Sequence, residues 1–274
     1  MANGSLANQR QGVKAARTTP AADRSDFVQS LARGIAVISA FSATARRLTL
    51  ADASRATGLT RATCRRLLLT LVELGYASTD GKTYELTPRV LDIGYSYLAS
   101  LQISEIAQPY LEALSEAVHE SSSVSVLDDT DIVYVARVPT KRIMTVAIGL
   151  GSRFPAYQTS MGRVLLAELP DDRIVDVFDR SDRSRRTPST VTTSEQLLAA
   201  VETVRTRGWS LVDQELEIGV RSFAAPIRDG RGTAVAAINV STHAVRTGID
   251  HIHEVLAPQL LATAAGISEA LTRR

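Results

Sequence analysis

The tightest constraint on this chain is the punctuation between Leu50 and Leu86. A short apolar-periodic stretch, Leu50 to Thr57, follows Thr49, whose hydroxyl suits a helix N-cap. Gly58 ends it, because glycine takes the left-handed conformation at a helix C-terminus without a Cβ penalty. Leu59 follows, and Thr60 can cap a second helix running to about Leu74. The core face of that helix is predicted to be Cys64, Leu67, Leu68, Leu71 and Leu74, and Gly75 stops it. Two strand-like runs between Tyr76 and Leu86 then flank Asp80-Gly81, a pair that favours a tight hairpin because the turn needs positive φ. Upstream, Val28, Leu31, Ile35, Ile38 and Phe41 recur at spacings of three and four, which predicts a helix packed along that face. This order of helix, short helix, glycine turn, helix and hairpin is that of a winged helix-turn-helix. In such a unit the second helix of the pair enters the major groove, about 12 Å wide, and presents its early residues to base edges.

The charge distribution agrees. The net charge of +2 divides into 12 Lys/Arg against 6 Asp/Glu over residues 1–88, a surplus of +6, and 19 against 23 over residues 89–274, a deficit of −4. A basic N-terminal third on an acidic remainder suits a polyanion at one end. In the candidate recognition helix, Thr60, Arg61, Ala62, Thr63, Arg65 and Arg66 lie off the leucine face or at the N-terminus, and arginine suits bidentate contact with guanine. Arg46 and Arg47 before the second helix, and Lys82 at the wing tip, suit phosphate contacts that position without reading sequence. A solvated surface role is the alternative for any one of these arginines. Residues 1–25 show no hydrophobic periodicity and read as a disordered arm, with phosphate contact through Arg10, Lys14 and Arg17 as the alternative.

Beyond the wing, Pro88 precedes a linker helix, Arg89 to about Ser100, whose Val90, Ile93 and Tyr97 suit pairing of protomers. Helices are predicted over Ile103–His119, Met161–Glu168, Asp171–Phe178, Ser194–Gly208 and Ile252–Leu271. Strands are predicted over Ser123–Leu127, Ile132–Val138, Arg142–Ile148, Trp209–Val212, Ser222–Ile227 and Ala234–Val240. Strands in hairpins with helices on the faces make an α+β fold with an antiparallel sheet. The expected division is a disordered arm over 1–25, a winged helix-turn-helix over 26–88, a linker helix over 89–102 and a second domain over 103–274.

Several classes of function find little support. No apolar run approaches the 18 residues of a membrane span, and the polar, basic start has no signal-peptide core, which together predict a cytoplasmic protein. The single cysteine, Cys64, forms no internal disulfide and suits a small core residue better than a nucleophile. His251 and His253 are two apart and fall on different helix faces, so they fit zinc poorly. Gly149-Leu150-Gly151 lacks the remaining features of a nucleotide loop. Asp128, Asp129 and Asp131 read as a solvated acidic turn before a metal site. No cofactor is expected. The alternative to a DNA-binding regulator is a small-molecule-binding enzyme that carries a winged helix as a protein-interaction module.

A resemblance sharpens these expectations. Gln29–Ile38, Leu50-Ala51-Asp52, Gly58-Leu59-Thr60-Arg61-Ala62-Thr63-Cys64-Arg65-Arg66-Leu67-Leu68 and Leu74-Gly75-Tyr76 resemble the IclR family of bacterial transcription regulators. So do Gly151–Ala167, Glu217–Ile227 and Ala237-Ile238-Asn239-Val240-Ser241, in that family's effector domain. The likeness covers roughly residues 26–270, and Pro155–Ala167 is most similar to the branch controlling protocatechuate and β-ketoadipate catabolism. It implies a GAF-like effector-binding domain and a homodimer or dimer of dimers on double-stranded operator DNA. It also implies a small organic acid effector, a hydroxybenzoate or a dicarboxylate, and leaves the sign of regulation open.

The family's pocket, carried over to matching positions, gives Phe154, Ser160, Met161, Gly162, Ser222, Asn239 and Ser241. Backbone N–H groups at the Ser160–Gly162 turn suit a carboxylate. Asn239 and Ser241 alternate on one strand face and so share one cavity. Phe154 and Met161 suit apolar walls, and Arg137 or Arg142 a second carboxylate. Core packing for Phe154 and Met161, a helix cap for Ser160, and backbone satisfaction for Asn239 and Ser241 are the competing readings.

Overall fold

Helix α1 (Gln29–Ser39) presents its apolar residues at helical spacing, yet the residue it buries is Val37. Val28, Leu31 and Ile35 are more than half exposed, while Ile38 and Phe41 are partly buried against the core. The expected packing face is therefore corrected: the stripe exists, and its first half points away from the core of its own unit. The computed structural model describes residues 26–42, 45–94, 102–140 and 148–273. The N-terminal arm with Arg10, Lys14 and Arg17, the linker beyond Gly94, and Arg142 with most of the strand expected there lie outside the described residues. The chain divides into two compact units, residues 1–97 and 98–274.

In the first unit, strand β1 (Arg47–Thr49) leads into α2 (Leu50–Thr57) and α3 (Arg61–Glu73), then β2 (Ala77–Thr79) and β3 (Thr83–Leu86). Thr49 and Asp52 close a capping box on α2: Thr49 Oγ1 accepts from the Asp52 N–H at 3.2 Å, and Asp52 Oδ2 accepts from the Thr49 N–H at 3.1 Å. Gly58, at φ 71°, ends the helix in the left-handed conformation. Thr60 caps α3 by accepting from the Thr63 N–H. The three strands form an antiparallel sheet of order β1-β3-β2. β1 has no counterpart in the expected elements; its Leu48 pairs with Tyr84 and is buried, and Tyr84 joins the core of Val37, Ala53, Cys64, Leu68 and Leu71. Leu67 is partly buried, and Leu74, expected in the core, is 51% exposed. It occupies the C-cap position of α3, past the last turn that packs.

The second unit is built on α4 (Gln102–Val118), β4 (Ser121–Asp128), β5 (Asp131–Val138), β6 (Arg153–Pro155), α5 (Ser160–Leu166), α6 (Asp171–Arg180), α7 (Ser194–Arg207), β7 (Ser210–Asp213), β8 (Val220–Arg228), β9 (Ala234–His243) and α8 (Ala257–Thr272). Six antiparallel strands run in the order β6-β5-β4-β9-β8-β7, the antiparallel α+β arrangement expected. One face carries Val124, Phe223, Ile227, Ile238 and Val240 against Leu111 and Leu114 of α4 and Leu260 and Ile267 of α8. The opposite face carries Ile132, Tyr134, Ala224 and Ala237 beneath α5, α6 and α7. The helical run Ile249–Thr272 is long and apolar enough by composition to cross a membrane. Leu260, Ala264 and Ile267 bury its inner side in this core, so it is a packing helix.

A bulge on β5 at Val135, where the register shifts opposite Val124 and Ser125 of β4, shapes the second face. Without it, Tyr134 and Arg137, three apart on β5, would point to opposite sides. The bulge pairs Tyr134 with Ser125 and Arg137 with Ser123, two residues that share a face, so Tyr134 and Arg137 share it as well.

Candidate functional site

Two regions gather the candidate residues, one in each unit. On α3 the turn-by-turn burial of Cys64, Leu68 and Leu71 leaves Arg61, Ala62, Arg65 and Arg66 exposed on the outward side. Arg46 and Lys82 are exposed as well. None of these five cations has a carboxylate partner among the described residues. Arg47 differs: its Nε donates to Glu85 Oε2 at 2.9 Å across the β1–β3 pair, so part of its charge is already met. Thr60 and Thr63 are engaged with each other, Oγ1 to Oγ1 at 2.9 Å, in addition to the cap. The wing turn is held by Asp80, whose carboxylate accepts from the N–H groups of Lys82 (2.9 Å) and Thr83 (2.7 Å) and from the Thr83 hydroxyl (2.9 Å). Those bonds, the Thr83 N–H first, bring its pKa down to about 2.

In the second unit, a cavity of about 540 Å³, counting the open space at its mouth, lies on the α5 side of the sheet. Its floor is polar: Ser160 Oγ meets Ser222 Oγ at 2.7 Å, and Asn239 Nδ2 donates to Ser222 Oγ at 2.9 Å and to Ser241 Oγ at 3.0 Å. Ser222 and Ser241 are direct partners in the β8–β9 register, which is why residues far apart in sequence meet here. Tyr134, Ile148, Met161, Val212, Leu216 and Val220 supply apolar surface. Gln158, Thr159 and Glu217 complete the lining. Burial pushes the Tyr134 phenol up to about 12, so it stays protonated and donor-competent at neutral pH. Such a site, largely apolar with a few convergent polar groups, is built to bind a small organic molecule.

The structure relocates several candidates. Phe154 does not line the cavity; it is buried behind Tyr134, edge-to-face with ring centroids 5.8 Å apart. Gly162 is also outside the lining: a Cβ there would sit 2.0 Å from the Ala156 carbonyl oxygen, so its role is close packing of α5 on the turn before it. The helix cap is Thr159 rather than Ser160, and its Oγ1 takes the Gly162 N–H at 3.0 Å. One of the N–H groups expected to face a carboxylate is therefore already satisfied. Met161 lines the cavity and receives the Ser125 hydroxyl on its sulfur at 3.2 Å. Arg137 stands on the same sheet face, with Nη1 donating to Ser123 Oγ at 3.4 Å, and its pKa is lowered by burial. The acidic turn expected at Asp128–Asp131 is taken up by arginines: Arg153 pairs with Asp128 and Asp131, and Arg180 with Asp129. Tyr134, Gln158 and the Leu216–Val220 segment were not anticipated. The alternation of Ser121, Ser123 and Ser125 was the available sign that this sheet face is polar.

A sequence model described as the C-terminal part of the bacterial transcriptional regulator IclR matches residues 95–269, and one for the IclR helix-turn-helix domain matches residues 30–81. The Pca regulon regulatory protein of Pseudomonas putida is 45% identical over 247 residues, covering 90% of this chain and 85% of that protein. A solved structure from Rhodococcus sp. RHA1, described as a transcriptional regulator, is 57% identical with a TM-score of 0.79, over 89% of this chain and 98% of that one. The inducer-binding domain of PobR from Acinetobacter, solved as a double mutant with 3-hydroxybenzoic acid, is 29% identical with a TM-score of 0.56. That match covers 60% of this chain and 97% of the other.

Proposed function

This chain belongs to the IclR family of bacterial transcriptional regulators, and on that footing we propose that it controls genes of aromatic-acid breakdown, in the protocatechuate and β-ketoadipate branch, by binding operator DNA in response to an aromatic or dicarboxylic acid. It is a DNA-binding regulator and not an enzyme, as the members of the family are, which sets aside a catalytic protein carrying a winged helix. The observation that carries the effector half is the buried Ser160–Ser222–Asn239–Ser241 cluster on the floor of an otherwise largely apolar cavity. Polar side chains converging there without a structural partner for every atom suit a ligand that is mostly hydrocarbon with a few polar ends.

On this reading Arg61, Arg65 and Arg66, with Thr60, Ala62 and Thr63 at the start of α3, meet base edges and flanking phosphates, while Arg46, Arg47 and Lys82 hold the backbone. The protein works in the cytoplasm as a homodimer or dimer of dimers, with residues 26–88 on DNA, 89–102 as the linker and 103–274 holding the effector. The relatives support the effector class: one is named for the Pca regulon, and another was solved with 3-hydroxybenzoic acid.

The test is a thermal-shift series on the full chain with 4-hydroxybenzoate, protocatechuate and β-ketoadipate, followed by duplex binding at increasing salt with and without the best ligand. A ligand that binds the native state raises its melting temperature by mass action. A rise with at least one acid, and a duplex affinity that falls steeply with salt and shifts with that acid, is the expected result. No rise with any of the three would sink the effector assignment.

A further inference from the structure

The carboxyl end of the recognition helix is closed by residues from beyond the wing. Leu74 ends α3, and Gly75, at φ +79°, turns the chain. The Gly75 N–H then donates to the Val72 carbonyl at 3.0 Å and the Tyr76 N–H to the Leu71 carbonyl at 2.8 Å. The carbonyls of Leu74 and Gly75 have no bond within this motif. They stand at the negative end of a helix whose own last turn carries no basic residue. Both are met from past the wing: Arg89 Nη1 donates to the Leu74 carbonyl at 2.9 Å, and the Thr87 hydroxyl donates to the Gly75 carbonyl. The Thr87 N–H donates to the Tyr76 carbonyl at 3.0 Å, extending the β2–β3 ladder by one bond. The exposed Arg89 guanidinium also lies over the Tyr76 ring, 5.2 Å from its centre, within cation–π range. A Cβ on Gly75 would lie 3.1 Å from Arg89 Nη1, so the bare glycine gives the guanidinium its room.

Thr87 and Arg89 belong to the opening of the linker. Pro88–Val90 form one 3-10 turn with proline, whose ring fixes φ, at its first position. The chain goes on from there to the second unit, which begins at residue 98. The first turn of the linker is therefore tied to the end of the recognition helix at three successive residues, Leu74, Gly75 and Tyr76. A rotation of that turn either carries α3 with it or breaks these contacts. Without them α3 samples several orientations against the linker, and only some of these dock on a specific site. Apparent affinity for the specific site falls by the fraction that is competent. General attraction to phosphates depends far less on orientation and changes little.

We propose that Arg89 is a positioning residue for operator binding: with Thr87 it clamps the linker to the carboxyl end of the recognition helix, so that the helix follows the linker. Arg89 makes no base contact itself. A signal that the linker carries from the effector-binding unit reaches α3 through this clamp. The inference rests on the reading that α3 enters a specific site on DNA, and it adds the residue that sets how the helix is held there.

A double-mutant cycle on the full chain tests it, with Arg89→Ala, Tyr76→Leu and the two combined. The readout is a ratio: affinity for a duplex selected from a random pool by the wild type, over affinity for a scrambled duplex of the same composition. Urea unfolding checks that each variant is folded under the binding conditions. Arg89→Ala and Tyr76→Leu are each expected to lower the ratio about fivefold or more, and the combination no further than the stronger single change, because the same clamp is lost each time. Losses that add in the combination overturn the proposal. So does an Arg89→Ala variant that weakens both duplexes equally, the mark of a phosphate contact. Arg89 is exposed, so Arg89→Ala decides by its ratio even where Tyr76→Leu folds poorly. The same titrations with 4-hydroxybenzoate present test the signal: a shift seen in the wild type should shrink in Arg89→Ala while calorimetric binding of the acid is unchanged, and a full shift retained there overturns the coupling. No shift in the wild type counts against the effector reading and leaves the clamp to the ratios. A wild type that selects no sequence from the pool removes the DNA reading and the clamp with it.

Discussion

Arg163 holds Glu215 in a buried, bidentate pair, Nη1 to Oε1 at 2.8 Å and Nη2 to Oε2 at 2.6 Å, and with it the segment that walls the candidate cavity. Arg163 Nε also donates to the Tyr157 carbonyl at 3.0 Å, and the Val191 N–H donates to Glu215 Oε2 at 3.3 Å. Leu216 and Glu217, next in the chain, line the cavity. Removing one partner of such a pair strands a charge in the interior, which costs about 3–5 kcal/mol. Arg163→Met should therefore lower stability by that order in urea unfolding and weaken effector binding as the wall shifts. The double variant Arg163→Met with Glu215→Leu should recover much of the stability, since no charge is then left unpaired. A single variant as stable as the wild type would show that the pair is not what holds this wall.

The exposed arginines of α3 make a separate claim, readable on DNA alone. Replacing Arg65 and Arg66 together with Ala should reduce operator affinity by about a hundredfold or more, at roughly 1–3 kcal/mol for each lost base contact. Lys82→Ala should weaken binding evenly across sequences and reduce the slope of log affinity against log salt by about 1, the effect of one phosphate contact. Fluorescence anisotropy over a salt series separates the two behaviours. Effector titration should be unaltered in both variants, because these residues belong to the other unit.

How far the sequence carried differs between the two units for physical reasons. Capping residues and turn glycines act locally, so Thr49, Gly58, Thr60 and Asp80-Gly81 could be placed from sequence alone. Periodicity says which residues share a face but not whether the chain's own core covers it, hence the exposed Val28, Leu31 and Ile35 of α1. The three-residue β1 is too short to show alternation, and it exists because Leu48 finds Tyr84 across the sheet. Ser160, Met161, Ser222, Asn239 and Ser241 came from resemblance and fall together in one lining. Tyr134 escaped because a cavity wall on a strand looks like any buried aromatic. Arg137 could be named as a candidate, but its face depends on a bulge that leaves no composition signal.

Two glycines in these units should both lose stability on substitution by alanine but differ in ligand binding, because different physics fixes each. At Gly162 the backbone is helical and the obstacle is space, since an added Cβ meets the Ala156 carbonyl oxygen at 2.0 Å. Gly162→Ala must push α5 off the preceding turn, so it should cost at least the 1–3 kcal/mol typical of overpacking and distort the cavity as well. At Gly58 nothing lies within 4 Å of an added Cβ, but φ is +71°. Gly58→Ala should cost about 1–2 kcal/mol from the left-handed backbone and leave effector binding unaltered. Thermal unfolding with a ligand titration on each variant reads both effects, and equal loss of ligand binding in the two would contradict the packing role of Gly162.

The wing carries a pH dependence of known sign. The folded Asp80 carboxyl titrates near 2, against 3.8 for an unperturbed group, because the Thr83 and Lys82 N–H groups and the Thr83 hydroxyl bond to its ionised form. A depressed acid contributes its stabilisation in full above the unfolded value and loses it as pH falls through the folded one. The turn should therefore be unaffected from neutral pH down to about 4 and loosen between there and pH 2. Faster amide exchange at Thr83 and Lys82 over that window is the expected signal. Asp80→Asn keeps an oxygen acceptor but carries no charge, so it should form the turn yet show no titration there. A wing that loosens over the same window in Asp80→Asn would assign the effect to another group.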